Sequence, residues 1–208
     1  MRLGLPEFLP GIGNIVYLDA DTLCLEDVGA LFDTDLGDAP IAASLDPPMV
    51  NLVAYERQRG RGPSPRSATR YLKHELGLGD AMTRYFNSGV LVLDLDRLRT
   101  DTLMERAKEV LSRMGSRLRL DDQCVLNALY AATYHQLPAR WNAMLCLEPL
   151  RSMLPPACNS WQELPRLGTT RRCSISARTR SPGFATGARR PSRRCGGPMP
   201  LRHRCPGA

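Results

Sequence analysis

Three short, largely apolar runs mark this chain: Ile15 to Leu18, Ile41 to Leu45 and Val90 to Leu93. Runs of four or five residues rich in β-formers and bounded by turn residues predict buried strands. The segments between them carry a longer period. Glu26 to Phe32 and Ser67 to Leu76 predict helices, the second stopped at Gly77 or Gly79. A helix over Leu98 to Met114 would turn Leu103, Ala107, Val110, Leu111 and Met114 to one side, with Asp94 or Asp96 closing the strand before it and Asp96 able to cap it. Another helix opens at Asp121-Asp122-Gln123 and puts Val125, Leu126, Leu129 and Tyr130 together. Tyr134 to Leu137 reads as strand, and Asp46-Pro47-Pro48 ends the strand before it. Leu3, Leu5, Phe8 and Leu9 stand at roughly helical spacing, broken by Pro6 and stopped at Pro10-Gly11. Strands alternating with helices imply an α/β domain with a largely parallel sheet, in which ligands bind off the carboxyl ends of strands.

Composition divides the 208 residues in two. Residues 1–165 hold 17 basic and all 21 acidic side chains, a net −4, whereas residues 166–208 hold 11 arginines and neither lysine nor acid. The expected organisation is therefore one domain over 1–165 and an Arg/Pro/Gly-rich tail over 166–208 without apolar periodicity, a composition that does not bury a core. Arginine without lysine is also what a GC-rich gene yields out of frame, so the tail is expected to begin at a frameshift near 157–173. Seven cysteines with no C-x-x-C pair argue against a disulfide framework or zinc site and for a reducing compartment. No apolar stretch of 18 residues occurs, so a cytoplasmic protein is expected.

The candidate chemistry sits where the first strand ends, in Y-L-D-A-D-T at 17 to 22. Along an extended chain, Asp19 and Asp21 would point the same way. Two carboxylates that close repel unless a cation lies between them, and Mg²⁺ or Mn²⁺ suits oxygen ligands. The alternative is structural: Asp21 or Thr22 caps the following helix and Asp19 is solvated. Asp122 and Gln123 fall in a first helical turn, where a carboxylate suits the dipole; capping is again the alternative. Asn87 precedes a strand as a site residue or a turn residue. The basic stretch 57–66 is a solvated loop or an anion-binding one.

Y-L-D-A-D-T at 17–22, F-N-S-G-V-L-V-L-D-L at 86–95, D-Q-C-V-L-N at 122–127 and W-N at 141–142 occur in this order. Together they resemble the successive blocks of glycosyltransferase family 8, and R-L-G-L-P-E-F-L-P at 2–10 is similar to the segment before that family's D-x-D. The resemblance implies an incomplete GT-A fold, a Rossmann-like mixed sheet flanked by helices. It also implies transfer of a hexose from a UDP-sugar to a glycan or lipid-linked acceptor, with retention and with Mn²⁺ (or Mg²⁺). By the same resemblance Asp19 and Asp21 are metal ligands. Arg2, Asp19, Ala20, Asp21, Asn87, Ser88, Gly89, Asp122 and Gln123 bind the donor. Asp122 and Gln123 are the catalytic pair, with Gln123 beside the anomeric carbon as weak nucleophile or oxocarbenium stabiliser. Acceptor contacts are expected in 47–66, in a bacterial protein able to touch the inner face of the membrane.

The sequence departs from the family at both ends. The family's opening strand, which holds uracil and ribose, would lie before Met1. The family's H-x-x-G-x-x-K-P-W, which brings a third metal ligand and a lysine for the diphosphate, has no match in 143–208. Three functions follow as alternatives: an active transferase, a catalytically inactive fragment or pseudoenzyme, and a polyanion binder acting through its basic tail. No specific nucleic-acid partner is expected.

Overall fold

A computed structural model describes residues 2–59 and 67–144 and the backbone of Ser176–Ala177. The expected boundary near 165, the frameshifted tail and most of the basic stretch 57–66 lie outside the described residues. A 3₁₀ turn at Arg2–Gly4 leads into α1 (Leu5–Phe8), then β1 (Asn14–Leu18), β2 (Thr22–Leu23), α2 (Gly29–Phe32) and β3 (Ile41–Leu45). Next come α3 (Pro47–Gln58), α4 (Ala68–Arg70) continued as a π turn over Tyr71–Glu75, and a 3₁₀ segment at Gly79–Arg84. β4 (Phe86–Asp94), α5 (Leu95–Thr100), α6 (Leu103–Met114), α7 (Asp121–Tyr130) and β5 (His135–Gln136) complete the body, and β6 (Ser176–Ala177) pairs with β2.

The main sheet has the order β1-β4-β3-β5. β4 runs antiparallel to both neighbours, while β3 and β5 are parallel. The expectation of a largely parallel sheet is thus corrected: the longest strand is reversed, and the sheet is mixed. Both faces of β4 are covered, which explains its unbroken apolar run. Leu91 and Leu93 pack on one face with Ile41, Ala43, Leu95, Leu126 and Tyr134. Val90 and Val92 pack on the other with Leu31, Ala42, Leu137 and Trp141. A third apolar cluster lies among the helices, around Met49, Tyr71, Leu72, Tyr85, Val110, Met114 and Cys124.

Four local readings change. Asp46-Pro47-Pro48 ends β3 but also starts a 12-residue helix, because Asp46 accepts from Met49 N–H and the prolines occupy positions that need no donor. The segment 47–58, part of the 47–66 stretch expected to carry acceptor contacts, is therefore a helix. The helix expected over 98–114 is two: Asp94, not Asp96, caps α5, and Thr102 breaks the run with φ +49. That left-handed threonine is held by flanking bonds, since Asp101 accepts from Tyr130 and pairs with Arg106. The helix expected from Glu26 starts only at Gly29, without a side-chain cap, and Thr22 lies in a strand, so neither Asp21 nor Thr22 caps it. Asp19 to Thr22 form a turn, Thr22 N–H donating to Asp19 C=O at 3.0 Å, so the alternation rule for extended chain does not apply to the D-x-D.

Candidate active site

The reversal of β4 builds the site. β1 carries its acidic pair at its carboxyl end, and β4 carries Asn87-Ser88-Gly89 at its amino end. Antiparallel pairing brings those two ends together: Leu18 faces Val90, and Asp19 N–H donates to Gly89 C=O at 2.8 Å. A parallel β4 would have put them at opposite edges.

Arg2 closes the assembly from the 3₁₀ turn. Its Nη1 donates to Ser88 Oγ at 2.7 Å and also to Ser88 C=O, and its Nη2 donates to Asp19 Oδ1 at 3.0 Å. Its Nε stands 2.8 Å from Asp122 Oδ2, an ion pair not aligned as a hydrogen bond. The guanidinium also lies over the Tyr17 ring, 4.7 Å from its centroid. One cation thus stands between two carboxylates from different elements, with only 13% of its side chain exposed. Tyr17 donates its hydroxyl to Asp19 Oδ1 at 2.8 Å; burial first, and then this bond, raises its pKa, so it stays a donor at neutral pH.

Asp122 and Gln123 project from the first turn of α7. The turn is set by Asp121, whose φ of +38 is a left-handed conformation rare outside glycine, asparagine and aspartate. No side chain caps this helix, so the capping role weighed for this acidic turn is corrected. Gln123 Oε1 accepts from Ser88 N–H at 3.1 Å and Ser88 O–H at 3.3 Å, while its Nε2 donates to Asp46 Oδ2 at 3.0 Å. A backbone N–H can only donate and an ionised carboxylate only accept, so the two ends of the amide are distinguished by their partners.

Behind Gln123 is a buried polar layer. Asn87 Oδ1 accepts from Gly89 N–H and from Asn142 Nδ2, both at 2.9 Å, and Asn87 Nδ2 donates to Asp46 Oδ2 at 3.3 Å. Asn127 closes the far side, bonding both Phe86 N–H and Phe86 C=O at 2.8 Å. Asp46 is 5% exposed, and that burial pushes its carboxyl up; the three donors facing it, from Met49, Asn87 and Gln123, act the other way.

Arg2, Asp19, Ser88, Asp122 and Gln123 are brought into one connected cluster. Asn87 and Gly89 support it from β4, where Gly89 C=O accepts from Asp19 N–H. Ala20 and Asp21 are exposed on the turn beyond Asp19, outside the hydrogen-bonded cluster. Asp46, Tyr17 and Asn142 are the members that sequence reasoning did not single out. W-N at 141–142 was the only hint of the last, and Asp46 was read as a strand terminator. Among the described residues no group of three or more His, Cys, Asp or Glu gathers to hold a metal. The oxygen-only pair fits a hard cation that keeps water and phosphate as its other ligands: each hydrogen bond to the Asp19 carboxylate goes to Oδ1, and Asp21 is exposed.

The family model for glycosyl transferase family 8 matches residues 1–157. General stress protein A of Bacillus subtilis is 29% identical over 68% of this chain and 44% of its own length. Lipopolysaccharide 1,2-glucosyltransferase of Escherichia coli is 28% identical over 66% of this chain and 35% of its own. The chain therefore spans less than half the length of these relatives. Among solved structures, galactosyltransferase LgtC in complex with donor and acceptor sugar analogues superposes with a TM-score of 0.60, at 25% identity over 85% of this chain and 56% of LgtC. The bifunctional glycosyltransferase WbbM shares the fold, with a TM-score of 0.56 at 24% identity over 69% of this chain and 25% of WbbM. The mixed sheet is thus of the GT-A type.

Proposed function

This chain belongs to glycosyl transferase family 8, and on that premise we propose that it transfers a hexose from a UDP-sugar to a glycan or lipid-linked acceptor with retention at the anomeric carbon. The observation that carries the proposal is the convergence of Arg2, Asp19, Ser88, Asp122 and Gln123 on one point at the edge of the sheet.

In this reading Asp19 and Asp21 would hold Mn²⁺ or Mg²⁺, and such a cation would offset the charge that develops on the departing diphosphate. Arg2 binds the donor. Its fork suits phosphate or sugar oxygens, and its existing bonds to Asp19 and Ser88 fix it before the donor arrives, so little side-chain entropy is lost on binding. Ser88 and Gly89 lie along the sugar, and Asp122 accepts from its hydroxyls. The bond from C1 to the diphosphate oxygen breaks, its electron pair leaves with UDP, and an acceptor hydroxyl oxygen bonds C1 and passes its proton to the departing diphosphate. Gln123 presents its carbonyl oxygen beside that carbon. Both of its lone-pair directions are used by Ser88, so engagement of C1 requires the Ser88 hydroxyl to turn away.

Asp46 is the positioning residue for Gln123. It takes the amide nitrogen and so keeps the oxygen forward. Release of UDP from UDP-glucose and UDP-galactose with Mn²⁺ tests the reading: Gln123→Ala should lower kcat about 100-fold or more. An unchanged kcat would remove Gln123 from the chemistry.

A further inference from the structure

We propose that a concave basic surface between α4 with its π turn and the carboxyl end of α6 is a second binding site, for a phosphate-type dianion. Its cavity measures about 460 Å³ and is lined by Arg70, His74, Glu75, Arg113 and Arg117. Packing creates it. Ala68, Tyr71 and Leu72 turn inward from one element and Ala107, Val110 and Met114 from the other, so the intervening basic residues face outward side by side. No hydrogen bond or ion pair links these five residues to the cluster around Arg2 among the described residues.

The charges in this cavity are not spent on the protein. The Arg113 guanidinium has neither hydrogen bond nor ion pair among the described residues, and the Arg70 guanidinium has only a loose pairing, 3.8 Å from Glu75. Arg117 is held along one edge by Met114 C=O at 3.2 Å and by Arg113 C=O, which fixes its guanidinium at the end of α6 and leaves Nη1 open. Three arginines elsewhere, by contrast, use their donors internally: Arg84 on Ala132 and Tyr134 carbonyls, Arg99 on Pro6, Leu9 and Ile12 carbonyls, Arg106 on Asp101. Three guanidinium groups against one carboxylate leave a surplus of positive charge in a concavity, where the field is concentrated. Guanidinium forks match the oxygens of a phosphate group two at a time. The same chemistry is met on a phospholipid headgroup and on a soluble phosphate.

The test uses the full chain as wild type, as Arg70→Gln/Arg113→Gln, and as Arg113→Glu. Two probes separate the sources: inorganic phosphate titrated calorimetrically at fixed ionic strength, and co-sedimentation with phosphatidylcholine vesicles with and without phosphatidic acid. The proposal expects saturable binding to at least one probe that weakens about tenfold or more in both variants, the effect of removing charge-assisted bonds. Loss on vesicles alone assigns a lipid headgroup, and loss on both probes assigns the phosphate group itself. Should the double variant fail to hold its wild-type melting temperature, the exposed single replacement Arg113→Glu decides. Binding equal in wild type and variants, or absent for both probes, would overturn the proposal.

Discussion

At the scale of single residues, Arg2 and Asp46 carry the account from opposite sides. Arg2 is the cation between Asp19 and Asp122, and its value is geometric: three separate nitrogens address three partners. Lysine keeps the charge and loses the fork, so Arg2→Lys should weaken binding of UDP with Mn²⁺ about tenfold in a calorimetric titration, with little change in melting temperature. Asp46 faces donors only. Asp46→Asn would set an amide N–H against the amide groups of Asn87 and Gln123, so kcat should fall about tenfold or more. The sign of the pH effect follows from the raised Asp46 pKa. Below its folded pKa the carboxyl is protonated and presents a hydroxyl where Gln123 Nε2 needs an acceptor, so kcat should fall on the acid side, starting above the ordinary carboxylate range. Stability responds oppositely: with the folded pKa above the unfolded value, the contribution is full below the unfolded pKa and is lost as pH rises through the folded one. A kcat–pH profile whose acid limb survives unchanged in Asp46→Asn would rule this out.

At the scale of elements, the direction of β4 decides everything about the site, and it is the feature local patterning could not supply. Short apolar runs mark a strand's extent, and β3 was read to its last residue, but the same residues read alike in parallel and antiparallel neighbours. The D-x-D, N-S-G and D-Q blocks were legible individually; their meeting depended on that reversal. The break at Thr102 was hidden because tertiary bonds impose it, and the turn at Asp19 to Thr22, closed by its own Thr22 N–H to Asp19 C=O bond, was read as a continuation of the extended strand. Two further elements are pinned by single side chains. Arg99 donates to Pro6, Leu9 and Ile12 carbonyls at 2.7–2.9 Å and so fastens to α5 the segment that bears Arg2. Arg99→Met should cost about 2–4 kcal/mol in denaturant unfolding and weaken UDP binding in parallel; a stability loss with full affinity would show that Arg2 is placed by other contacts. Glu56 accepts from Ala68 and Thr69 N–H groups, both at 2.9 Å, tying α3 to α4. Burial alone would raise its pKa, but these bonds outweigh it and lower it. The stability it supplies is therefore present above the unfolded pKa and lost as pH falls through the folded one. In Glu56→Gln the acid limb of the melting-temperature profile should flatten; an unaltered limb would contradict the role given to Glu56.

At the scale of the whole molecule, the chain holds a family 8 core in which sheet, helices and the Arg2 cluster form one connected body. It spans 44% and 35% of the two curated relatives described above. No helix among the described residues is long and apolar enough to cross a membrane. Family and fold were legible from four short blocks in order; the clustering of their residues at the sheet edge was not, because it depends on the direction of β4. Asp46 was not legible, since a buried carboxylate after a strand looks like any residue before a proline. The basic cavity was not legible either, because its residues come from two segments about 40 positions apart that only packing brings together. The central claim is that the turn after β1 holds a metal-bound nucleoside diphosphate. The most direct measurement is an equilibrium titration of the full chain with UDP in Mn²⁺, repeated in EDTA and with Asp21→Asn. The account predicts saturable binding in Mn²⁺ that both EDTA and Asp21→Asn abolish. Binding that survives either one, or none in Mn²⁺ at all, would contradict it.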